Sequence, residues 1–111
     1  MAEDRQRRIG ANEALFRQVN ERMRDLNETF ATFTGKIDLM CECGAATCTE
    51  RIAMDPSAYE ELRSDANLFA VVPGHEVPDV EYVVAQRDVY DVIRKREGVP
   101  SQIAEQTDPR A

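Results

Sequence analysis

The sequence predicts an α+β fold with a long N-terminal helix, a cysteine-rich zinc knuckle, and a small β-sheet with one or two short helices. Three observations predict this class. Apolar residues recur three and four positions apart between residues 11 and 33, as they do along one face of a helix. All three cysteines lie between residues 41 and 48. Short alternating or β-branched runs then follow, separated by glycine and proline, which is typical of strands and turns.

A helix over residues 11–33 is the first predicted element. Its apolar stripe consists of Phe16, Val19, Met23, Leu26, Phe30 and Phe33. Ile9 continues the repeat toward the N-terminus, so the stripe is either the buried face of the helix in its own domain or a seam for a protein partner or homodimer. Glu13, Arg17 and Glu21 form opposite-charge pairs four residues apart, and we expect these pairs on the solvent face.

Short elements are predicted after this helix. Residues 36–40 and 49–54 alternate between apolar and polar side chains, which favours one strand on either side of the cysteines. Asp55 and Pro56 are the residue types of a helix N-cap and first helical position, so a short second helix is predicted to begin there. The β-branched and aromatic run at residues 68–72 predicts a buried strand.

The next segments are predicted as a helix and a strand. Valines at positions 80, 83 and 84 are spaced as on a helix, so residues 80–86 are predicted to be helical, although their valine content also suits a strand. Residues 89–93 predict the last strand. Residues 94–96 are all basic and predict a charged exit from that strand.

Both ends of the chain are predicted to lie outside the core. Residues 1–8 are almost wholly polar and are predicted to be a disordered N-terminus. Residues 97–111 contain Gly98 and two prolines but no aromatic residue, and are predicted to be a flexible C-terminal tail. Residues 9–96 are therefore predicted to form a single zinc-stabilised α+β domain, of a size at which a bound metal is a useful addition to the core.

Cys41, Cys43 and Cys48, together with His75, have the composition of a zinc site. The three cysteines are the only ones in the chain, and His75 is the only histidine. Zinc prefers a tetrahedron of thiolate sulfur and imidazole nitrogen. A Cys-x-Cys pair supplies two thiolates from one extended segment, and His75 follows a Pro-Gly turn that ends a predicted core strand. The sequence therefore predicts a Cys3His site for Zn²⁺.

Several alternatives stay open for these residues. Glu42, Glu76 or water could replace His75 as the fourth ligand, and water would leave the site open for hydrolysis. The same four residues suit a [2Fe–2S] cluster, and the thiols could also be ordinary buried side chains or redox groups. The Cys-x-Cys opening resembles CDGSH-type iron–sulphur proteins and the SWIM zinc signature. In both families the last cysteine and the histidine are nearly adjacent, whereas 27 positions separate Cys48 from His75.

Several segments together resemble an uncharacterised family of small bacterial proteins. They are residues 12–22, the CECG and CTERI motifs that begin at Cys41 and Cys48, and the PGHE motif that begins at Pro73. The resemblance would cover residues 12–96. It implies a shared zinc-knuckle-like core, but it implies no activity or partner.

Composition restricts the function classes. The net charge of −7 disfavours nonspecific nucleic-acid binding, since an acidic domain repels phosphate backbones. We expect no membrane span and no signal peptide, because the chain has no long apolar run. Three cysteines make a poor disulfide framework, so a reducing cytoplasm is predicted.

Regulation by protein binding is the predicted function. An enzyme is disfavoured, because the chain has no second histidine and no HExxH or GxSxG motif, and no catalytic residue is assigned. The prediction is therefore a small zinc-binding adaptor or regulatory protein that contacts a partner through residues 11–33. The alternatives are a nucleic-acid-binding zinc regulator, or a redox-sensing or iron–sulphur protein.

Overall fold

The computed structural model describes residues 2–110, except for the side chains of Ala2 and of residues 27–34. Its elements in chain order are α1 (Ala2–Thr34), β1 (Ile37–Met40), β2 (Arg51–Met54), α2 (Pro56–Arg63), β3 (Leu68–Val71), β4 (Glu81–Gln86), β5 (Asp91–Lys95) and α3 (Val99–Gln106). The predicted α+β class, with a long N-terminal helix and small antiparallel sheets, is confirmed.

The strands form two antiparallel sheets. β1 and β2 pair from Ile37 opposite Met54 to Met40 opposite Arg51, so the loop between them carries all three cysteines. Alternation along these strands buries Ile37, Leu39, Ile52 and Met54 on one face and leaves Asp38, Arg51 and Ala53 exposed on the other. The second sheet has the order β3-β5-β4, with β5 in the centre.

Helix α1 buries a face that is partly polar. Its buried side chains are those of Ile9, Glu13, Phe16, Arg17 and Asn20. Their spacing of 4, 3, 1 and 3 keeps them on one side of a helix with 3.6 residues per turn. The prediction that Glu13 and Arg17 face solvent is wrong, because their exposed fractions are 0% and 1%.

The predicted apolar stripe on α1 is only partly buried. Phe16 is buried and Met23 packs against the hydrophobic core cluster, but Leu26 is 77% exposed. The side chains of Phe30 and Phe33 lie outside the described residues. Although α1 is 33 residues long, no helix within residues 2–110 is both long and apolar enough to cross a membrane.

The two chain ends are more ordered than the sequence predicts. Helix α1 begins at Ala2, inside the segment predicted to be disordered. Residues 97–111 include helix α3, whose Pro100, Ser101 and Ala104 are buried, so the flexible-tail prediction is wrong there. The two helices pack closely at Gly10, where a Cβ atom would lie 3.0 Å from Ile103 Cδ1.

Residues 81–86 form strand β4, so the predicted helix over residues 80–86 is wrong. The reason is a β-bulge: Val83 pairs with Ile93 and Ala85 pairs with Val92, which leaves Val84 without a partner position. A bulge breaks the two-residue alternation of a strand, and the resulting apolar spacing resembles that of a helix.

Strand β5 begins and ends two residues later than predicted. It runs to Lys95, so the basic run predicted as a charged exit is partly inside the sheet. The Lys95 side chain is fully buried and forms ion pairs with Glu13 from α1 and Glu81 from β4. We call these three residues the Glu13–Glu81–Lys95 cluster.

Candidate metal centre

The structure brings the four predicted ligands together. The ligand atoms of Cys41, Cys43, Cys48 and His75 all lie within 4.8 Å of one another. His75 Nδ1 lies 3.6 Å from Cys41 Sγ and 3.7 Å from Cys48 Sγ. The cysteines come from the β1–β2 loop and the histidine from the β3–β4 loop, so the cluster joins the two sheets.

Two of these separations can be compared directly with the edges of a tetrahedron around one metal ion. With Zn–S bonds of about 2.3 Å and Zn–N bonds of about 2.0–2.1 Å, the expected sulfur-to-nitrogen edge is about 3.5–3.6 Å and the sulfur-to-sulfur edge about 3.8 Å. The two observed Sγ–Nδ1 distances, 3.6 and 3.7 Å, are close to the first value. The four residues can therefore hold a single ion through small side-chain adjustments.

Backbone hydrogen bonds position the cysteine loop. The Cys41 N–H donates to the Glu50 carbonyl at 3.0 Å, which extends the β1–β2 ladder to the first ligand. The Cys48 N–H donates to the Ala45 carbonyl at 3.1 Å, closing a turn that returns the third sulfur to the first two. The loop lies directly against α1, since a Cβ atom on Gly44 would lie 2.7 Å from Ile9 Cγ2.

The β3–β4 loop positions the histidine. The His75 N–H donates to the Val72 carbonyl at 2.9 Å, and Gly74 between them has a φ of 92°, which favours glycine. The Val72 N–H itself donates to Cys41 Sγ at 3.2 Å. The same short segment therefore orients the imidazole and stabilises negative charge on a ligand sulfur.

Proximity changes the acidity of the thiols. A hydrogen bond between the two sulfurs lowers the pKa of Cys43 to about 5 and raises the pKa of Cys41 well above its ordinary value. Burial raises the pKa of Cys48. A cation bound by all three sulfurs would need each of them as a thiolate, so metal binding would be coupled to the release of protons from the thiols. All three cysteines are free thiols.

Glu42 is a buried residue whose role the sequence analysis did not identify. It lies between two ligands, yet it is 0% exposed and does not belong to the ligand cluster. Arg63 donates from Nη1 to Glu42 Oε2 and from Nη2 to Glu42 Oε1, both at 2.7 Å. Asn20 Nδ2 donates to Oε2 at 2.7 Å, and the Ala70 N–H donates to Oε1 at 3.1 Å. We call Glu42, Arg63, Asn20 and Ala70 the Glu42 clamp.

One signal in the sequence could have pointed to this role. In an extended Cys-x-Cys segment the middle side chain points away from its two neighbours, because successive side chains alternate. With Cys41 and Cys43 assigned to a metal, Glu42 must face the other side. Neither Glu42 nor Glu76, the alternative fourth ligands, joins the cluster among the described residues.

Comparison of the chain with protein-family models, with curated proteins and with solved structures gave no match. The resemblance to a family of small bacterial proteins stays a prediction. What the site can do must therefore be inferred from its own geometry and chemistry.

Proposed function

We propose that this chain is a small zinc-binding adaptor or regulatory protein, whose Cys3His site ties two loops together and whose activity consists of protein–protein contacts. One observation carries the metal part of the proposal. Four soft or borderline ligand atoms lie within 4.8 Å of one another, and two of the sulfur-to-nitrogen distances are those expected around a single zinc ion.

Zinc suits this ligand set better than a [2Fe–2S] cluster. A two-iron cluster divides its four ligands between two separate ions, which spreads the ligand atoms apart. Here all four atoms lie within 4.8 Å of one another, which favours one ion. We also propose a reducing cytoplasm as its location, since none of the three cysteines forms a disulfide.

Metal analysis of protein purified without added metal tests this part. We expect one zinc per chain and a colourless sample for the unmodified protein, and loss of most of the zinc from Cys48→Ser and His75→Ala. Glu76→Gln is the matched control, because Glu76 neighbours His75 without joining the cluster, and it should keep its zinc. Iron with visible absorption, or a metal-free protein after zinc is supplied, would contradict the proposal.

The surface of α1 supports the contact part of the proposal. Leu15 is 59% exposed and Leu26 is 77% exposed. They are eleven residues apart, about three helical turns, so they lie on the same side of α1, and the half-buried Val19 lies between them. Large apolar side chains aligned on a helix are typical of a contact surface for another chain. We propose that this strip, Leu15, Val19 and Leu26, binds a protein partner or a second copy.

Charged substitutions on the strip test the contact. In Leu15→Glu/Leu26→Glu we expect the loss of self-association in sedimentation velocity, or of specific partner capture if the unmodified chain is monomeric. Val89→Glu is the control, because Val89 is also exposed, at 52%, but precedes strand β5. Equal association by all three proteins would exclude the strip as the contact surface.

A further inference from the structure

The Cys-x-Cys segment is held on both sides by groups that do not need a metal. The Glu42 carboxylate accepts four hydrogen bonds, two from Arg63, one from Asn20 and one from the Ala70 N–H. The backbone N–H of Glu42 donates to the Ala70 carbonyl at 2.8 Å. Glu42 and Arg63 have side chains that are 0% and 1% exposed. A buried ion pair with this bidentate geometry and further hydrogen bonds fixes its backbone closely.

Asn20 on α1 fixes the segment before the first ligand. Its Nδ2 donates to the Met40 carbonyl at 2.9 Å, and its Oδ1 accepts from the Met40 N–H at 2.8 Å. Together with its bond to Glu42, Asn20 holds the residues on either side of Cys41. The positions of Cys41 and Cys43 therefore follow from contacts with α1, α2 and β3.

The other two ligands are held differently. Cys48 and His75 are half-buried, and the loop residues 45–47 next to Cys48 are exposed. Their described backbone hydrogen bonds are to residues of their own short loops, Ala45 and Val72. The cluster thus has a pair of ligands fixed in the core and a pair on surface loops.

We propose that Glu42 is a positioning residue for the metal centre. It keeps Cys41 and Cys43 in ligand geometry in the metal-free protein, so that the chain stays folded whether or not the ion is bound. The inference rests on the proposed function, because it presupposes a metal on the four ligands. Groups that orient metal ligands in this way typically contribute 10-fold to 100-fold in affinity.

Cobalt titration of the metal-free full chain tests the inference, with thiolate-to-cobalt absorption as the readout of binding and far-UV circular dichroism as the readout of folding. We expect a native-like helical spectrum before any metal is added. Glu42→Gln should bind cobalt about 10-fold or more weakly than the unmodified protein. Asn20→Ala, which removes three of the hydrogen bonds, should show the same direction and replaces Glu42→Gln if that variant does not fold.

Ile93→Ala is the control for general destabilisation. Ile93 is fully buried in the central strand of the second sheet, and its loss weakens the fold without touching the Glu42 clamp. We expect its cobalt affinity to stay within about 3-fold of the unmodified protein, since the ligand segment keeps its hydrogen bonds.

The outcomes separate the two proposals. Failure of the unmodified chain to bind cobalt overturns the proposed function itself. The positioning role is overturned, with the metal centre left in place, by any of three results. The chain binds cobalt but is unfolded before metal is added, or Glu42→Gln or Asn20→Ala binds cobalt with unchanged affinity. The third result is that Ile93→Ala loses as much cobalt affinity as those variants.

Discussion

Two buried carboxylate clusters lie beside the same aromatic ring and differ in how well their charges are matched. In the Glu42 clamp, one carboxylate meets one guanidinium and both oxygens accept hydrogen bonds. In the Glu13–Glu81–Lys95 cluster, two carboxylates share one ammonium group. Arg63 and Lys95 lie 5.8 Å and 5.5 Å from the centre of the Phe69 ring.

The mismatch appears in the acidity of Glu13. Burial raises the pKa of Glu13 well above its ordinary value, against the attraction of Lys95. Both carboxylate oxygens of Glu13 are buried, Oε1 pairs with Lys95 Nζ, and the neighbouring Glu81 carboxyl adds to the rise in the pKa of Glu13. The comparison shows that the buried carboxylate near the metal loop has a matched cation, whereas in the second cluster burial favours the neutral form of Glu13.

The largest expected effect comes from breaking the matched cluster. Arg63→Met leaves the buried Glu42 without its cation and should lower the free energy of unfolding by about 3–5 kcal/mol. Urea denaturation measures this loss. Arg51→Met is the control, because its pair with Asp38 has side chains 53% and 56% exposed and should contribute less than about 1 kcal/mol. Similar losses in the two variants would contradict the distinction.

A smaller loss is expected from Glu81→Gln in the mismatched cluster. Glu81 accepts hydrogen bonds from Lys95 Nζ and from the Val77 N–H, so we expect it to be the ionised carboxylate that balances the charge of Lys95. We expect its neutral replacement to lower the free energy of unfolding by about 2 kcal/mol. Thermal denaturation at pH 7 checks the value, and a gain in stability would show that Glu81 is the surplus acid.

An increase in the free energy of unfolding is expected for Glu13→Gln. In the unfolded chain this carboxyl ionises near pH 4.5, whereas in the folded protein it keeps its proton to higher pH. The folded state therefore binds more protons above pH 4.5, and the stability of the unmodified protein falls as the pH rises toward the raised pKa. Glutamine removes that loss, so we expect a gain of about 1 kcal/mol at pH 8 and little change at pH 4. Denaturation at both pH values measures it, and a constant difference would contradict the assignment.

The smallest effect concerns the C-terminal end. Arg110 donates to Glu60 at 2.9 and 3.1 Å, and this hydrogen-bonded pair lowers the pKa of Glu60. The stabilisation is present above the unfolded pKa of Glu60 and is lost as the pH falls through its lower folded value. Arg110→Ala should therefore cost less than about 1 kcal/mol at pH 7 and nothing in strong acid. Chemical denaturation across this range tests the trend.

The sequence was most informative where residue type alone restricts the chemistry. Three cysteines and a single histidine predicted a cluster whose atoms the structure brings together. Apolar spacing and residue preference predicted α1 and most strands, and the N-cap residue types of Asp55 and Pro56 predicted the start of α2.

Residues whose burial depends on distant partners could not be predicted in this way. The sequence predicts Glu13 and Arg17 on the solvent face and Glu42 as a possible ligand. Their actual partners are distant in sequence: Lys95 for Glu13, Ala104 for Arg17 and Arg63 for Glu42. Strand β4 was missed because a single bulged residue imitates helical spacing. Tertiary partners, rather than local preference, decide such positions.

The contacts at Ile9 and Gly10 give the first turns of α1 a mechanical role. Ile9 packs against Gly44 of the cysteine loop, and the Ile103 side chain of α3 packs against Gly10. A shortened chain that starts near residue 9 would place both contacts in a fraying helix end. The mostly polar residues 2–8 thus extend α1 beyond these two contacts, and this extension keeps the part of the helix that touches both the cysteine loop and α3 away from its fraying end.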